Sequence, residues 1–237
     1  LIGLQLVYRK AKELYGKEAA QSMLEKVFTG GLYISDLHLI GMPYCYNYPV
    51  GVLLEKGLPF IYRTPSLPAK HADTYIQHCT QLLMYASNHQ SGAAALTGFF
   101  VGYAWFAEKE MLSKKEIRQH FQNLVYTLNQ PVRYSAQTPF VNLSFFDRPY
   151  LEALYGGGYF RYPDGTTPNI EFIQELQKIF HDMFIGEINT KKNLITFPIL
   201  SANILLDEKT RQPKDEEFVN WLTKANAPYG LINIYMS

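Results

Sequence analysis

Apolar residues at Leu4, Val7, Ala11 and Leu14 recur every three or four positions, the period of one buried helix face. Gly16 interrupts that pattern, and a second, shorter helix is expected over Lys17–Phe28, closed by Gly30-Gly31. Leu32–Ile40 follows, with Asp36 and His38 inside it. Ile76, Cys79, Leu83 and Ala86 predict a long helix with Pro68 in its first turn, where a missing N–H does no harm. Ser113 with Glu116 three residues on reads as a capping box. Ile117, Phe121, Leu124, Val125 and Leu128 then give one apolar helix face, which Pro131 ends.

Beyond Pro131 the period changes. Val141, Leu143 and Phe145 alternate with Asn142 and Ser144, the pattern of a strand with one polar face. Gly156–Gly158 and Pro163–Thr166 are turn signals. Ile173, Leu176, Ile179, Phe180 and Met183 predict another helix. Leu194–Leu206 reads as a strand region broken at Pro198. Phe218, Trp221 and Leu222 mark a last helix, and Gly230–Met236 a last strand. Helices alternating with strands predict an α/β fold with at least partly parallel strands, whose sites are expected at the strands' carboxyl ends. No repeat, low-complexity stretch or linker divides the 237 residues, so one domain, or a piece of one, is expected.

Composition narrows the function classes. Hydrophobic residues are 47% and charged residues 18%, the reverse of a disordered chain. The 18 tyrosines and 15 phenylalanines predict an aromatic interior. A net charge of +1 offers no basic field for DNA or RNA and no polybasic membrane signal. The longest apolar run, Ala93–Phe106, is broken by Gly98, Gly102 and Tyr103. Cys45 and Cys79 alone cannot build a four-cysteine zinc site or a disulfide framework, which favours a reducing, cytoplasmic setting. The chain opens on Leu1 and stops after a strand-like run, so both ends read as cuts through a longer chain.

Three clusters could carry chemistry. Ser87–Ala94 holds His89 and Gln90 among small residues; from spacing alone it reads first as a helix end followed by tight helix–helix packing, and second as a site. Pro43-Tyr44-Cys45-Tyr46-Asn47-Tyr48-Pro49 sets a cysteine among tyrosines, as a redox thiol or hydrogen donor, or as a small core residue. Cys79 lies on an apolar helix face and is expected in the core. Gln137–Asn142 opens a strand whose Gln137 and Asn142 could face a ligand. His71 and His78, seven apart, do not have the spacing of metal ligands on one helix. Neither phosphate-loop pattern, G-x-x-x-x-G-K or G-x-G-x-x-G, occurs.

These segments, taken in order, resemble the catalytic subunit of the anaerobic (class III) ribonucleoside-triphosphate reductases, which are glycyl radical enzymes. Gly31-Leu32-Tyr33-Ile34-Ser35-Asp36-Leu37 resembles a G-x-Y-I-H-D-L stretch, with Ser35 where the family usually has His. Pro43-Tyr44-Cys45 resembles the active-site cysteine strand, and Leu67-Pro68-Ala69-Lys70-His71 a P-P-K-H/S helix start. The run from Phe121 to Arg133 is similar to LVYNLN-x-P-x-R, followed by Gln137–Asn142 and Phe197-Pro198-Ile199.

The resemblance implies the first part of a ten-stranded α/β barrel of two five-stranded parallel halves. It implies radical chemistry that reduces ribonucleoside triphosphates to 2′-deoxyribonucleoside triphosphates, with formate or a thiol system as reductant. Cys45 would be the reducing cysteine or hydrogen donor facing the ribose, and Lys70 would belong to a dNTP/ATP effector site at a homodimer interface. His38, Asn47, His89, Gln90, Gln137 and Asn142 would line the substrate pocket. The expected cofactors are a glycyl radical, generated by an S-adenosylmethionine/iron–sulfur activase, and structural zinc, none of them bound by this segment. The Arg-Val-x-Gly-Tyr radical element, zinc cysteines, finger-loop cysteine and ATP-cone do not occur here, so the segment alone is expected to be inactive and to need the rest of the chain. A pyruvate formate-lyase type enzyme and a non-catalytic nucleotide-binding or dimerisation module are the competing readings.

Overall fold

The structure, a computed structural model, describes residues 2–34, 37, 43–59, 65–133, 137–191 and 195–237. In chain order the elements are α1 (Ile2–Tyr15), α2 (Lys17–Phe28), β1 (Tyr46–Pro49), α3 (Val50–Lys56), α4 (Ala72–Ser87), β2 (Ala94–Thr97), α5 (Phe99–Lys109), α6 (Lys114–Leu128), β3 (Val141–Phe146), α7 (Arg148–Tyr155), α8 (Ile170–Lys191), β4 (Ile199–Ile204), α9 (Glu216–Asn226) and β5 (Ile232–Met236). The strands form one parallel sheet in the order β1-β2-β3-β4-β5. Parallel neighbours need crossover connections, and these have one hand, so a sequential order gathers the helices on one face.

That helix-covered face is the core. Ala94, Leu96, Val141, Leu143, Phe145, Leu200, Ala202, Ile204 and Ile232 all point into it and are buried. The expected aromatic interior is there. Phe100 of α5 meets Phe121 of α6 at 5.9 Å, Phe145 of β3 at 5.6 Å and Phe180 of α8 at 5.5 Å between ring centroids. Each such ring, fully buried, contributes on the order of 1.5–3 kcal/mol by leaving water.

Local chemistry sets the ends of several elements. Ser113 caps α6, and the Glu116 carboxylate bonds back to its N–H, as the sequence predicts. Buried Asp147 caps α7 through the Tyr150 N–H at 2.9 Å and also accepts the Leu205 N–H at 2.8 Å. The exit of β3 is thereby tied to the exit of β4. Burial pushes the Asp147 carboxyl above its ordinary range, while those two amides pull it back.

Four features differ from the sequence reading. The long helix begins at Ala72 with His71 as its cap, not at Pro68. Its first free amide, Ala72 N–H, is accepted by the Glu110 carboxylate at 3.2 and 3.3 Å, so distant sequence sets the boundary. The Ser87–Ala94 segment leads from α4 not into helix–helix packing but into an apolar run that forms a strand and a helix, β2 and α5. At Gly98, between them, the chain turns with φ +81°, a conformation in which a side chain is strained. Helices α3 and α7 leave no signal in the sequence pattern: α3 has 7 residues and α7 has 8, too short for a period to register. Strand β4 begins only after Pro198, and most of the Leu32–Ile40 stretch lies outside the described residues.

Two stability predictions follow from this packing. A methyl group on Gly102 of α5 would collide with the Tyr75 hydroxyl and come within 2.6 Å of Val50 Cγ2. It would displace the buried bond from Tyr75 to the Phe99 carbonyl, 3.0 Å long. Overpacking costs about 1–3 kcal/mol, against a helix-propensity gain of about 1 kcal/mol for Ala over Gly. Gly102→Ala is therefore expected to lower the denaturation midpoint, as urea unfolding will measure. The second concerns His78, buried on α4 with Nε2 2.8 Å from Ser66 Oγ. Burial lowers its pKa from 6.5, so the unfolded chain takes up a proton before the folded chain does. Stability is fully present above pH 6.5 and is lost as pH falls from there through the depressed folded value. His78→Gln is expected to flatten the stability–pH curve in that window.

Candidate active site

The two-residue pleat that builds the core also defines the opposite face of the sheet. Register places Asn47 beside Ala95, Ala95 beside Asn142, and Asn142 beside Ile199. Ser144 lies beside Ser201, Ser201 beside Asn233, and Asn203 beside Tyr235. Among the described residues, these and Thr97 are one continuous face not covered by the crossover helices, to which Pro49, Ala95 and Ile199 add apolar area, while Phe146 at the end of β3 is buried in the core. No strand position on it is a carboxylate or a cation. The face is neutral, hydrogen-bonding and partly apolar.

Its polar side chains hold one another. Asn142 Nδ2 donates to Ser201 Oγ at 2.7 Å, and Ser144 Oγ donates to Asn142 Oδ1 at 3.4 Å. Thr97 donates to Asn47 Oδ1 through its hydroxyl and, at 3.1 Å, through its N–H. Asn203 Nδ2 donates to the Phe145 carbonyl at 3.1 Å. Cross-strand pairs of this kind fix amide orientation before any ligand arrives.

Cys45 stands at the amino margin of this face, directly before β1 and two residues ahead of Asn47. It is exposed, and its Sγ accepts the Ala93 N–H at 3.2 Å. Cys79 is buried in the core, and burial pushes its thiol far up, so it stays protonated and inert. The site therefore runs across the sheet from its amino edge and is not confined to the carboxyl ends.

The other sequence candidates are dispersed. Gln90 is buried behind the face: its Oε1 accepts the Tyr46 N–H at 3.1 Å and its Nε2 donates to the Tyr48 hydroxyl at 2.6 Å. With both ends of its amide engaged inside, it is a strut and not a lining residue. His89 stacks on Tyr85 at 4.1 Å, with Nδ1 2.8 Å from the Tyr85 carbonyl at the end of α4. Gln137 is exposed before β3, its carbonyl accepting the Arg133 N–H at 2.9 Å. His38 lies outside the described residues. Lys70 is exposed two residues ahead of α4, so it does not share a first helical turn with Pro68. The Glu110 carboxylate already serves that helix start.

Thr97, Ser201, Asn203, Asn233 and Tyr235 belong to the face but are not among the candidates that the sequence offers. Their signal is the alternation itself: Ile-Leu-Ser-Ala-Asn-Ile of β4 interleaves polar and apolar residues as β3 does. The described residues do not build a zinc site. The two cysteines lie apart, and no group of three His, Cys, Asp or Glu side chains among those residues could hold a metal ion. No helix among them is long and apolar enough to cross a membrane.

Comparison with known proteins supplies the context for this sheet. No curated protein matches the chain. Among solved structures, the chain is similar to the anaerobic ribonucleotide reductase from Thermotoga maritima in complex with dATP and CTP. The identity is 36% and the TM-score 0.81, over 100% of this chain and 40% of that one. The same protein with dATP bound in the specificity site gives 36%, 0.81, 100% and 41% in the same order. With citrate in the active site it gives 37%, 0.80, 100% and 44%. The five-stranded parallel sheet is thus the first part of that barrel type, and the chain spans about two fifths of the length of these relatives. The family model for anaerobic ribonucleoside-triphosphate reductase matches residues 4–236, and the chain belongs to that family.

Proposed function

We propose that this segment supplies the ribose-facing sheet and a hydrogen-donating cysteine to a glycyl radical ribonucleoside-triphosphate reductase. The observation that carries the reading is the uncharged, hydrogen-bonding sheet face with a single exposed thiol at its margin. Amides and hydroxyls without a fixed charge match the alternating hydroxyls and apolar carbons of a sugar. A phosphate would call for cations, which this face lacks, or for helix N-termini, which stand only at its carboxyl edge, where α3, α5 and α7 follow β1, β2 and β3. The dATP and CTP in the Thermotoga protein support nucleotide binding in the family.

In this reading the rest of the protein supplies a glycyl radical that leads, through a thiyl radical, to abstraction of the ribose 3′ hydrogen and loss of the 2′ hydroxyl. The residues of this chain bind and reduce. Asn47, Asn142 and Ser201 orient the sugar, and Cys45 delivers hydrogen from the other side of the ring. Formate or a thiol system completes the reduction. Lys70 is proposed to meet an effector phosphate at a dimer interface that includes α4, a role the specificity-site dATP of the Thermotoga protein supports. The activase, the zinc and the radical glycine belong to the remainder of the protein or its partner. The pyruvate formate-lyase reading falls to the family match over residues 4–236.

The test is Cys45→Ala in the intact protein, assayed anaerobically with its activase, reductant and a ribonucleoside triphosphate. Deoxyribonucleotide formation is expected to fall by about two orders of magnitude or more, the scale lost with one reacting group, while nucleotide binding persists. Wild-type turnover in the variant would overturn the assignment. Asn142→Ala removes an orienting amide but no reacting atom, so a partial loss of about ten-fold is expected.

A further inference from the structure

Arg133, the last residue of the run ending Asn129-Gln130-Pro131-Val132-Arg133, has no part in the sheet face described above. Its Nη2 donates to two successive carbonyls, Gln90 at 2.8 Å and Ser91 at 2.9 Å. Each carbonyl shares a planar peptide with the next N–H, and the two point in opposite directions. Holding the Gln90 oxygen toward Arg133 aims the Ser91 N–H at the Pro43 carbonyl, 2.9 Å away. Holding the Ser91 oxygen aims the Gly92 N–H at the Tyr44 carbonyl, 2.6 Å away. On the other side of Cys45, the Tyr46 N–H donates to the Ala93 carbonyl at 3.1 Å and to Gln90 Oε1 at 3.1 Å. Cys45 is therefore fixed both before and after by one short segment, which Arg133 orients.

The segment can lie this close because residue 92 is a glycine. A Cβ there would fall 2.6 Å from Cys45 Sγ and 2.6 Å from the Tyr44 carbonyl oxygen. Contacts that short do not persist, so a side chain would force the sulfur or the strand start to move. The close approach also brings the Ala93 N–H to Sγ at 3.2 Å. With one side of the sulfur accepting that hydrogen, the thiol's own hydrogen is directed elsewhere.

We infer that Arg133 and Gly92 are positioning residues for Cys45: Arg133 orients the peptides of Gln90–Ala93, and Gly92 lets them close on the sulfur. The catalytic consequence rests on the role proposed for Cys45; the effect on the sulfur's placement does not.

The experiment uses the intact protein as wild type, Arg133→Gln, Arg133→Lys, Gly92→Ala and Cys45→Ala. Iodoacetamide alkylation is followed by peptide mapping, with buried Cys79 as an internal measure of global opening. In Arg133→Gln and Gly92→Ala, Cys45 is expected to be alkylated about three-fold faster or more, with Cys79 still unreacted. Turnover is expected to fall about ten- to a hundred-fold in kcat with KM within about two-fold, the signature of a misplaced reacting group. Arg133→Lys keeps a single donor nitrogen in reach of both carbonyls and is expected to restore most of both readouts. Unchanged alkylation of Cys45 in Arg133→Gln and Gly92→Ala would overturn the inference. So would a kcat loss that appears only where Cys79 also becomes reactive. If one variant opens globally by that criterion, the other and Arg133→Lys decide. Wild-type turnover in Cys45→Ala would instead sink the proposed role of Cys45, leaving the alkylation result to judge the positioning alone.

Discussion

Among the described residues, helices pack against one face of this sheet only, over its central strands, and most of the molecule's organisation follows from that constraint. Parallel sheets usually carry helices on both faces, and their strands read as unbroken apolar runs. Here the order is sequential, the crossovers gather on one face, and β3 reads Val-Asn-Leu-Ser-Phe-Phe. The same few residues therefore serve two purposes. Val141, Leu143 and Phe145 build the core, while Asn142 and Ser144 build the neutral face. Polar chemistry on the second face removes nothing from the packing of the first.

Such a division depends on register. A slip of one residue would put Asn142 among the phenylalanines and Phe145 on the polar face. The structure guards against this with side chains that bond to main chain at the ends of strands. Gln177, buried on α8, accepts the Phe146 N–H at 2.8 Å and donates to its carbonyl at 3.0 Å. Asn129, capping α6, accepts the N–H of Phe197 at 3.2 Å and donates to its carbonyl at 2.6 Å, just before β4. Asn226, ending α9, does the same to Ile232 of β5, at 2.8 and 2.9 Å. Gln90 takes the Tyr46 N–H at the start of β1. The amides leave no buried main-chain group unpaired at these points, where an unsatisfied one would cost about 1–3 kcal/mol.

This explains what could be read from the sequence. The capping box at Ser113, the faces of α6 and α8, and the alternation in β3 are local patterns, and they are legible as such. So is the burial of Cys79, because helical spacing alone puts it with Ile76 and Leu83. Strand β2 was hidden because Ala-Ala-Leu-Thr has too little contrast between its faces, and its neighbours β1 and β3 define it. The start of α4 was misplaced because the carboxylate that accepts its first amide lies 38 residues away, at Glu110. Gln90 looked like a lining residue because a polar side chain among small residues reads as a site. Its partners, Tyr46 and Tyr48, lie more than 40 positions earlier, beyond any window of local pattern.

The two cysteines show how far context outweighs residue type. Both are free, and both sit near tyrosines. Cys79 is enclosed by α4 and its neighbours, where burial outweighs the hydrogen bond from the Tyr75 hydroxyl and holds the thiol protonated. Cys45 meets a main-chain N–H and open space. A sulfur that must exchange hydrogen with a ligand needs one side held and one side free, and only the edge of a half-covered sheet offers both. A strand covered on both faces would bury the thiol, and a segment away from the sheet would lack the Ala93 N–H that holds it. The single-sided sheet thus accounts for the core, for the neutral face, and for the place at which a reactive thiol can stand beside that face.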